Sequence, residues 1–192
     1  EPAGCVASGL LELGMPPAGS RVAVVGDGPV GLLAVLLARL SSPRELLLVG
    51  RRPERLRHGT GCGATDTVLA ADTAPSDLRG AFDLVIEATN SPSGAVYALN
   101  LARRGGSVLL LGVSGAGHGA IDPDLVSLNQ LRVQGVFAAS PAAWRWVVTL
   151  YGAGQFDPAP LITHRYPLAE IATALTVLAD PAAGALKVLI TP

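Results

Sequence analysis

The stretch Gly26-Asp27-Gly28-Pro29-Val30-Gly31 constrains this chain more than any other. It follows the apolar run Arg21–Gly26 and opens the stretch Pro29–Leu40, which is apolar nearly all round and of helical length. A lone G-x-G-x-x-G means little, but between a strand and a helix each glycine has a physical reading. Gly26 allows a tight turn, Gly28 lets the backbone approach a pyrophosphate, and Gly31 permits close packing of helix on strand. N–H groups at the helix start, around Pro29 and Val30, would then face the phosphates. A simple strand–helix turn is the alternative. A methyltransferase also places a glycine loop here, usually without the third glycine.

The rest of the chain repeats the same alternation. Apolar runs at Glu45–Gly50, Phe82–Thr89, Gly106–Val113, Leu131–Ala138 and Leu186–Thr191 read as strands. Helical patterns cover Ser91–Arg104, Pro141–Gly154 and Pro167–Ala179. Strands apolar on both faces and joined through helices imply a parallel sheet covered on both sides. The expected fold is therefore α/β, a Rossmann-type doubly wound parallel sheet with helices on both faces. Such sheets bind ligands at the carboxyl ends of their strands. There is no internal repeat and no low-complexity tract.

Composition narrows the function. The 192 residues, 49% of them hydrophobic, suffice for one sizeable core. Aromatics make up only 4%, so that core is aliphatic. A formal net charge of −1 argues against nucleic acid as a partner. No run of 18 apolar residues offers a membrane-spanning helix. Cys5 and Cys62 are too few for a disulfide framework and lack the spacing of a structural zinc site, which fits a cytoplasmic chain. The first residue is Glu rather than Met, so the natural chain is expected to start further upstream.

Positive charge is nevertheless concentrated in one place: Val49–Arg57 holds four arginines, just after the apolar run "LLL". In doubly wound folds the second strand ends beside the adenine ribose, and an acid there, about 20 residues past the glycines, selects NAD. Here that strand ends in Gly50, with Arg51 and Arg52 next. Guanidiniums offer fork-shaped donors to a 2′-phosphate. The stretch reads as an NADP pocket, with NAD the less favoured cofactor; a solvated helix start is the alternative. Arg55 and Arg57 read as surface charges.

Taken together, these motifs resemble the medium-chain dehydrogenase/reductase family, in its zinc-dependent alcohol, polyol and sugar dehydrogenase branch. The segments "EPAGCVASGL", "GRRPERL…GCGATDTV", "FDLVIEAT", "RRGGSVLLLGV", "LRVQGVF" and "PLITHRYPLAEIATAL" follow in the family order. The resemblance implies a junction helix over 1–20 from an absent GroES-like catalytic domain. It further implies an NAD(P)-binding domain over 21–139 and a C-terminal return segment over 140–192 packed on it. The family's zinc-binding cysteine and "GHE" histidine have no counterpart here. Glu1 falls where relatives place a remaining zinc carboxylate and would be a fragment of a metal site.

By the same resemblance, Leu111, Gly112 and Val113, with Val136 and Ala138, match backbone that cradles nicotinamide. Thr89 and Asn90 face the cofactor cleft, and Lys187 is either a base near the pyrophosphate or a plain surface lysine. His164 reads as structural, and His58 and His118 as solvent-facing. The implied whole enzyme transfers hydride between an alcohol or its carbonyl and a nicotinamide cofactor, with zinc polarising the substrate oxygen. Relatives form dimers or tetramers through sheet edges near the sixth strand, which makes Leu131–Ala138 the candidate edge. A non-catalytic NADPH-binding module and a zinc-free quinone or enoyl reductase fragment are the alternatives.

Overall fold

The structure, a computed structural model, describes residues 1–115 and 117–192. The chain divides into two compact units, 1–156 and 157–192.

In the first unit, β1 (Arg21–Val25), β2 (Glu45–Gly50), β3 (Asp66–Leu69), β4 (Phe82–Glu87), β5 (Ala102–Leu110) and β6 (Arg132–Gly135) form one parallel sheet. Its order is β3-β2-β1-β4-β5-β6. The order reverses beside β1, as a doubly wound sheet requires. Helices α1 (Pro2–Leu13), α2 (Pro29–Ala38), α3 (Pro53–Cys62), α4 (Pro92–Leu101), α5 (Pro123–Leu128) and α6 (Pro141–Gly152) complete the unit.

Strand alternation divides these helices between the two faces. Ala23, Val25, Leu47, Val49, Val85 and Val108 pack with Ala98 and Leu99 of α4, and Leu125 and Val126 of α5 join them. The intervening residues face the other way. There a Cβ on Gly59 of α3 would stand 2.2 Å from Leu48, and one on Gly9 of α1 2.4 Å from Leu109. α6 covers α1: Ser140 N–H donates to Ser8 Oγ at 2.8 Å, and Ser140 Oγ in turn accepts from Ala143 N–H at 3.2 Å, capping α6.

Charge is placed along the amino edge of the sheet. Arg21 Nε meets Glu45 Oε2 at 2.5 Å and Arg103 Nε meets Asp83 Oδ1 at 2.6 Å. Burial pushes the Asp83 carboxyl up, but the Arg21 N–H and the Arg103 guanidinium outweigh it and hold it below the usual carboxylate range.

Several boundaries differ from the sequence pattern. The helix expected over Ser91–Arg104 stops at Leu101, and Ala102 already pairs with Phe82 as the start of β5. Arg103 is drawn to Asp83, and Gly105 turns at φ 71 before the register shifts to Leu84–Ser107. The helix from Pro29 tightens into a 3-10 turn at Arg39–Ser41, closed by Ser42 at φ 52. β6 keeps only four residues of the expected Leu131–Ala138.

The second unit is a small β-α-β. β7 (Ile162–Pro167) lies parallel to β8 (Lys187–Thr191), with α7 (Ile171–Ala179) between them in sequence. Thr163 Oγ1 accepts from Leu186 N–H at 3.0 Å, next to the bulge in that pair. His164 lies beside Tyr166, ring centroids 6.5 Å apart and nearly parallel. No helix among the described residues is long and apolar enough to cross a membrane.

Candidate cofactor site

Because the strands are parallel, their carboxyl ends share one edge, and backbone hydrogen bonds lace it together. Ala70 N–H donates to Gly50 O at 2.8 Å, Gly26 to Val49 at 2.8 Å and Ala88 to Val25 at 2.8 Å. Leu111 donates to Glu87 O at 2.9 Å and Val136 to Leu110 at 3.1 Å. Gly26–Gly31, Gly50–Arg52, Thr89–Asn90, Leu111–Val113, Val136 and Ala138 therefore all stand at or just beyond this edge. Ala138 adopts φ 67 without being glycine. That left-handed backbone costs about 1–2 kcal/mol, and such strain collects at functional sites. Lys187 opens β8 of the second unit and is exposed.

The three loop glycines are glycines for different reasons. Gly26 has φ 126, and a Cβ there would stand 2.7 Å from Ala88 O. A Cβ on Gly31 would lie 1.8 Å from Gly26 O, so the helix start can rest on the loop only without one. Gly28, the N-cap of α2, has φ −81, which any residue can adopt, and a Cβ there would meet nothing within 4 Å. The fold does not need a glycine at 28, and a side chain there would project into open space. With Pro29 at the first helical position, Val30 and Gly31 supply N–H groups that an α-helix leaves without an internal acceptor. This cradle fits a pyrophosphate.

At the end of β2 the structure corrects the sequence. Gly50 brings no acid, yet a carboxylate stands there, contributed by Asp27 of the glycine loop. Asp27 is only 9% exposed, and its Oδ2 accepts from Arg51 N–H at 2.7 Å and Arg52 N–H at 2.8 Å. Gly50 makes room for it: a Cβ there would come within 2.8 Å of Asp27 Oδ2. Arg51 is exposed, whereas Arg52 and Arg55 are half-buried, so Arg55 is not the plain surface charge its position suggested. Burial first, then the neighbouring Arg52 charge, pushes the Arg55 guanidinium down from its usual value; Asp27 and Glu54 act in the opposite sense.

No motif in the sequence gives a role to Glu87, at the end of β4. It is 2% exposed and binds the loop beyond its own strand together with the loop beyond β5. In both cases the signal was present, as an acid inside an otherwise apolar or glycine-rich stretch. Only three dimensions show what each acid holds.

Glu1 does not make a zinc site with what surrounds it. Its Oε1 accepts from Cys5 Sγ–H at 3.0 Å. Burial, then the Glu1 hydrogen bond, pushes that thiol up to about 11, away from the thiolate that zinc binds. Among the described residues no three His, Cys, Asp or Glu side chains converge, whereas catalytic zinc takes three protein ligands. A groove of about 390 Å³, lined among others by Arg79, Asn100, Asp122 and Asn129, includes none of the residues at the carboxyl ends of the strands. It is therefore not the cofactor crevice. His58 and His118 are exposed and Cys62 is buried.

Sheet order, glycine loop and strand-end crevice together define a Rossmann-type α/β protein. The family model for zinc-binding dehydrogenases matches residues 29–152, more than half of the chain, and the chain belongs to that family. An L-threonine 3-dehydrogenase of Bacillus subtilis is 31% identical to it, over all of this chain and 56% of the relative. A protein of Sinorhizobium meliloti described as a zinc-binding dehydrogenase, solved bound to NADP, is 32% identical with a TM-score of 0.88. That match covers 100% of this chain and 58% of the other. An alcohol dehydrogenase of Escherichia coli CFT073 complexed with NADH shares the fold alone, at 21% identity and a TM-score of 0.89, over 99% of this chain and 57% of the other. The chain spans little more than half the length of these relatives.

Proposed function

We propose that this chain is the coenzyme-binding part of a zinc-type alcohol, polyol or sugar dehydrogenase and that it prefers NADP(H) to NAD(H). The observation that carries the preference is the cationic turn after β2: Arg51 and Arg52 follow a strand end that has no acid of its own. A 2′-phosphate would accept from the guanidiniums. The NADP bound to the Sinorhizobium relative supports the same reading.

In this reading the residues divide the cofactor among them. Gly26, Gly28 and Gly31 shape the loop, with Val30 and Gly31 donating to the pyrophosphate. Thr89, Asn90, Leu111, Gly112, Val113, Val136 and Ala138 line the seat of the nicotinamide. When bound, the nicotinamide accepts or gives the hydride, and the protein supplies orientation. The residues of this chain do not fit a zinc ion, so no step through zinc is derived from them. The whole protein's substrate is an alcohol or its carbonyl, and its assembly a dimer or tetramer.

Asp27 favours a second reading. A carboxylate at the end of β2, even one supplied by the loop, disfavours a 2′-phosphate and suits a ribose hydroxyl. Calorimetric titration with NADPH and NADH decides. Losing a phosphate held by charge-assisted hydrogen bonds costs about 1.5–3 kcal/mol, so NADPH should bind roughly 10- to 150-fold tighter. Equal affinities, or tighter NADH, would assign the site to NAD(H) and to Asp27.

A further inference from the structure

Glu87 is the deepest polar group at the ligand edge of the sheet. Strand interiors of this kind are apolar, and its neighbours Val85 and Ile86 are fully buried. A buried carboxylate is costly unless it is fully hydrogen-bonded. Glu87 Oε1 accepts from Thr89 N–H at 2.6 Å and from Thr89 Oγ1–H at 2.5 Å, and its Oε2 accepts from Gly112 N–H at 3.1 Å. These partners are all uncharged, so no ion pair explains the acid. What the carboxylate does is join two loops. Thr89 stands two residues beyond β4's last residue by sequence, and Gly112 two beyond β5's.

The contact is too close for a looser arrangement. A Cβ on Gly112 would lie 1.8 Å from Thr89 O and 2.7 Å from both Glu87 carboxylate oxygens. A Cβ on Gly94, in the first turn of α4, would lie 2.0 Å from Thr89 Oγ1. Glycines on both sides let the two backbones close around one acid. An apolar residue at 87 would leave the Thr89 and Gly112 N–H groups without these acceptors. The carboxylate is the side chain that accepts at both ends at once.

We propose that Glu87 is a positioning residue for the nicotinamide half of the cofactor: by clamping Thr89 to Gly112 it builds the edge on which the ring rests before the ligand arrives. This rests on the reading of the site as a nicotinamide dinucleotide site. Preorganisation of this kind improves binding by lowering what must be ordered on association. It acts on the part of the ligand that meets the clamped edge and not on the adenine half, which lies at the other end of the crevice, past Gly26 and Arg51.

The test compares two ligands on the purified chain. NADPH carries the nicotinamide; 2′-phospho-ADP-ribose is the same molecule without it. Glu87→Gln keeps the shape, but an amide accepts at one end only and turns an N–H toward the other donor. Glu87→Gln should weaken NADPH about tenfold and leave 2′-phospho-ADP-ribose within about twofold. Glu87→Asp, which keeps both acceptors on a shorter arm, should recover part of the loss. If Glu87→Gln does not fold, Thr89→Val removes one of the bonds isosterically and should shift the same ratio in the same direction by a smaller factor. An unchanged NADPH affinity, or equal losses for both ligands, would overturn the clamp and leave Glu87 a structural acid. Wild-type protein that binds neither ligand would overturn the underlying reading as well.

Discussion

Gly28 and Gly31 belong to one loop, yet replacing them should have opposite consequences. Nothing stands within 4 Å of a Cβ on Gly28, and its φ of −81 suits any residue. Gly28→Val should therefore leave the melting temperature within a few degrees of wild type and abolish cofactor binding, because the side chain takes the pyrophosphate's space. Gly31→Ala drives a Cβ to 1.8 Å from a backbone oxygen that cannot swing away. It should destabilise by about 1–3 kcal/mol, as overpacking does, and lose binding with it. Denaturant titration beside calorimetry separates the two outcomes, and retained binding by Gly28→Val would reduce the loop to a turn. Arg51 and Arg52 make a differential case of another kind. NADP(H) and NAD(H) share the pyrophosphate, so its contribution cancels in their ratio. The double replacement Arg51→Ala, Arg52→Ala should remove most of the NADPH preference and leave NADH nearly unchanged, persistently at moderate salt. Small parallel losses that fade with salt would mark the arginines as a general field.

Among the elements, those buried on both faces were readable as sequence. β1, β2 and β4 are continuous apolar runs, and α2 is apolar all round because its residues from Gly31 to Ala38 are buried. The elements that escaped the pattern lack such burial. β7, "ITHRYP", lies in a two-stranded sheet with no residue fully buried, so its composition carries no apolar signal. α5 is six residues long, too short to show a helical period. The start of β5 was hidden because Ala102 and the arginines after it continue the helical pattern, and the pairings of Ala102 with Phe82 and of Arg103 with Asp83 show where the helix yields. The site divides in the same way. Glycines announced the pyrophosphate cradle, whereas Asp27 and Glu87 act through backbone donors 24 and 25 residues away in sequence, which no local pattern contains. One helix junction is testable on its own. Ser140 caps α6 and ties it to Ser8 of α1, so Ser140→Ala should cost about 1 kcal/mol by denaturant unfolding. An unchanged midpoint would show that α6 is held by its apolar face alone.

For the whole molecule, the two edges of the sheet have different tasks. Ion pairs among Arg21, Glu45, Asp83 and Arg103 join strand beginnings, where no ligand is expected. The strand endings carry glycines, a strained Ala138 and buried acids bonded to loop backbones, an arrangement that suits the proposed ligand. Binding at that edge adds stability by mass action, because a cradle assembled from β1, β2, β4, β5 and β6 does not exist in the unfolded chain. At a hundredfold excess over the dissociation constant the gain is about 2.7 kcal/mol. For a protein of this size that raises the melting temperature by roughly 5–10 °C. Zinc offers a contrast within the same experiment. Glu1 and Cys5 form one carboxylate–thiol pair with the proton held on sulfur, and no third donor converges on them among the described residues. A structural or catalytic zinc site would contribute folding energy on binding. The 192-residue chain should therefore melt several degrees higher with saturating NADPH and at an unchanged temperature with equimolar zinc. Supplied with NADP+ as hydride acceptor and with zinc, it should also oxidise no alcohol. A zinc-dependent rise in melting temperature, or steady turnover by the purified chain, would mean that this chain holds a metal site of its own.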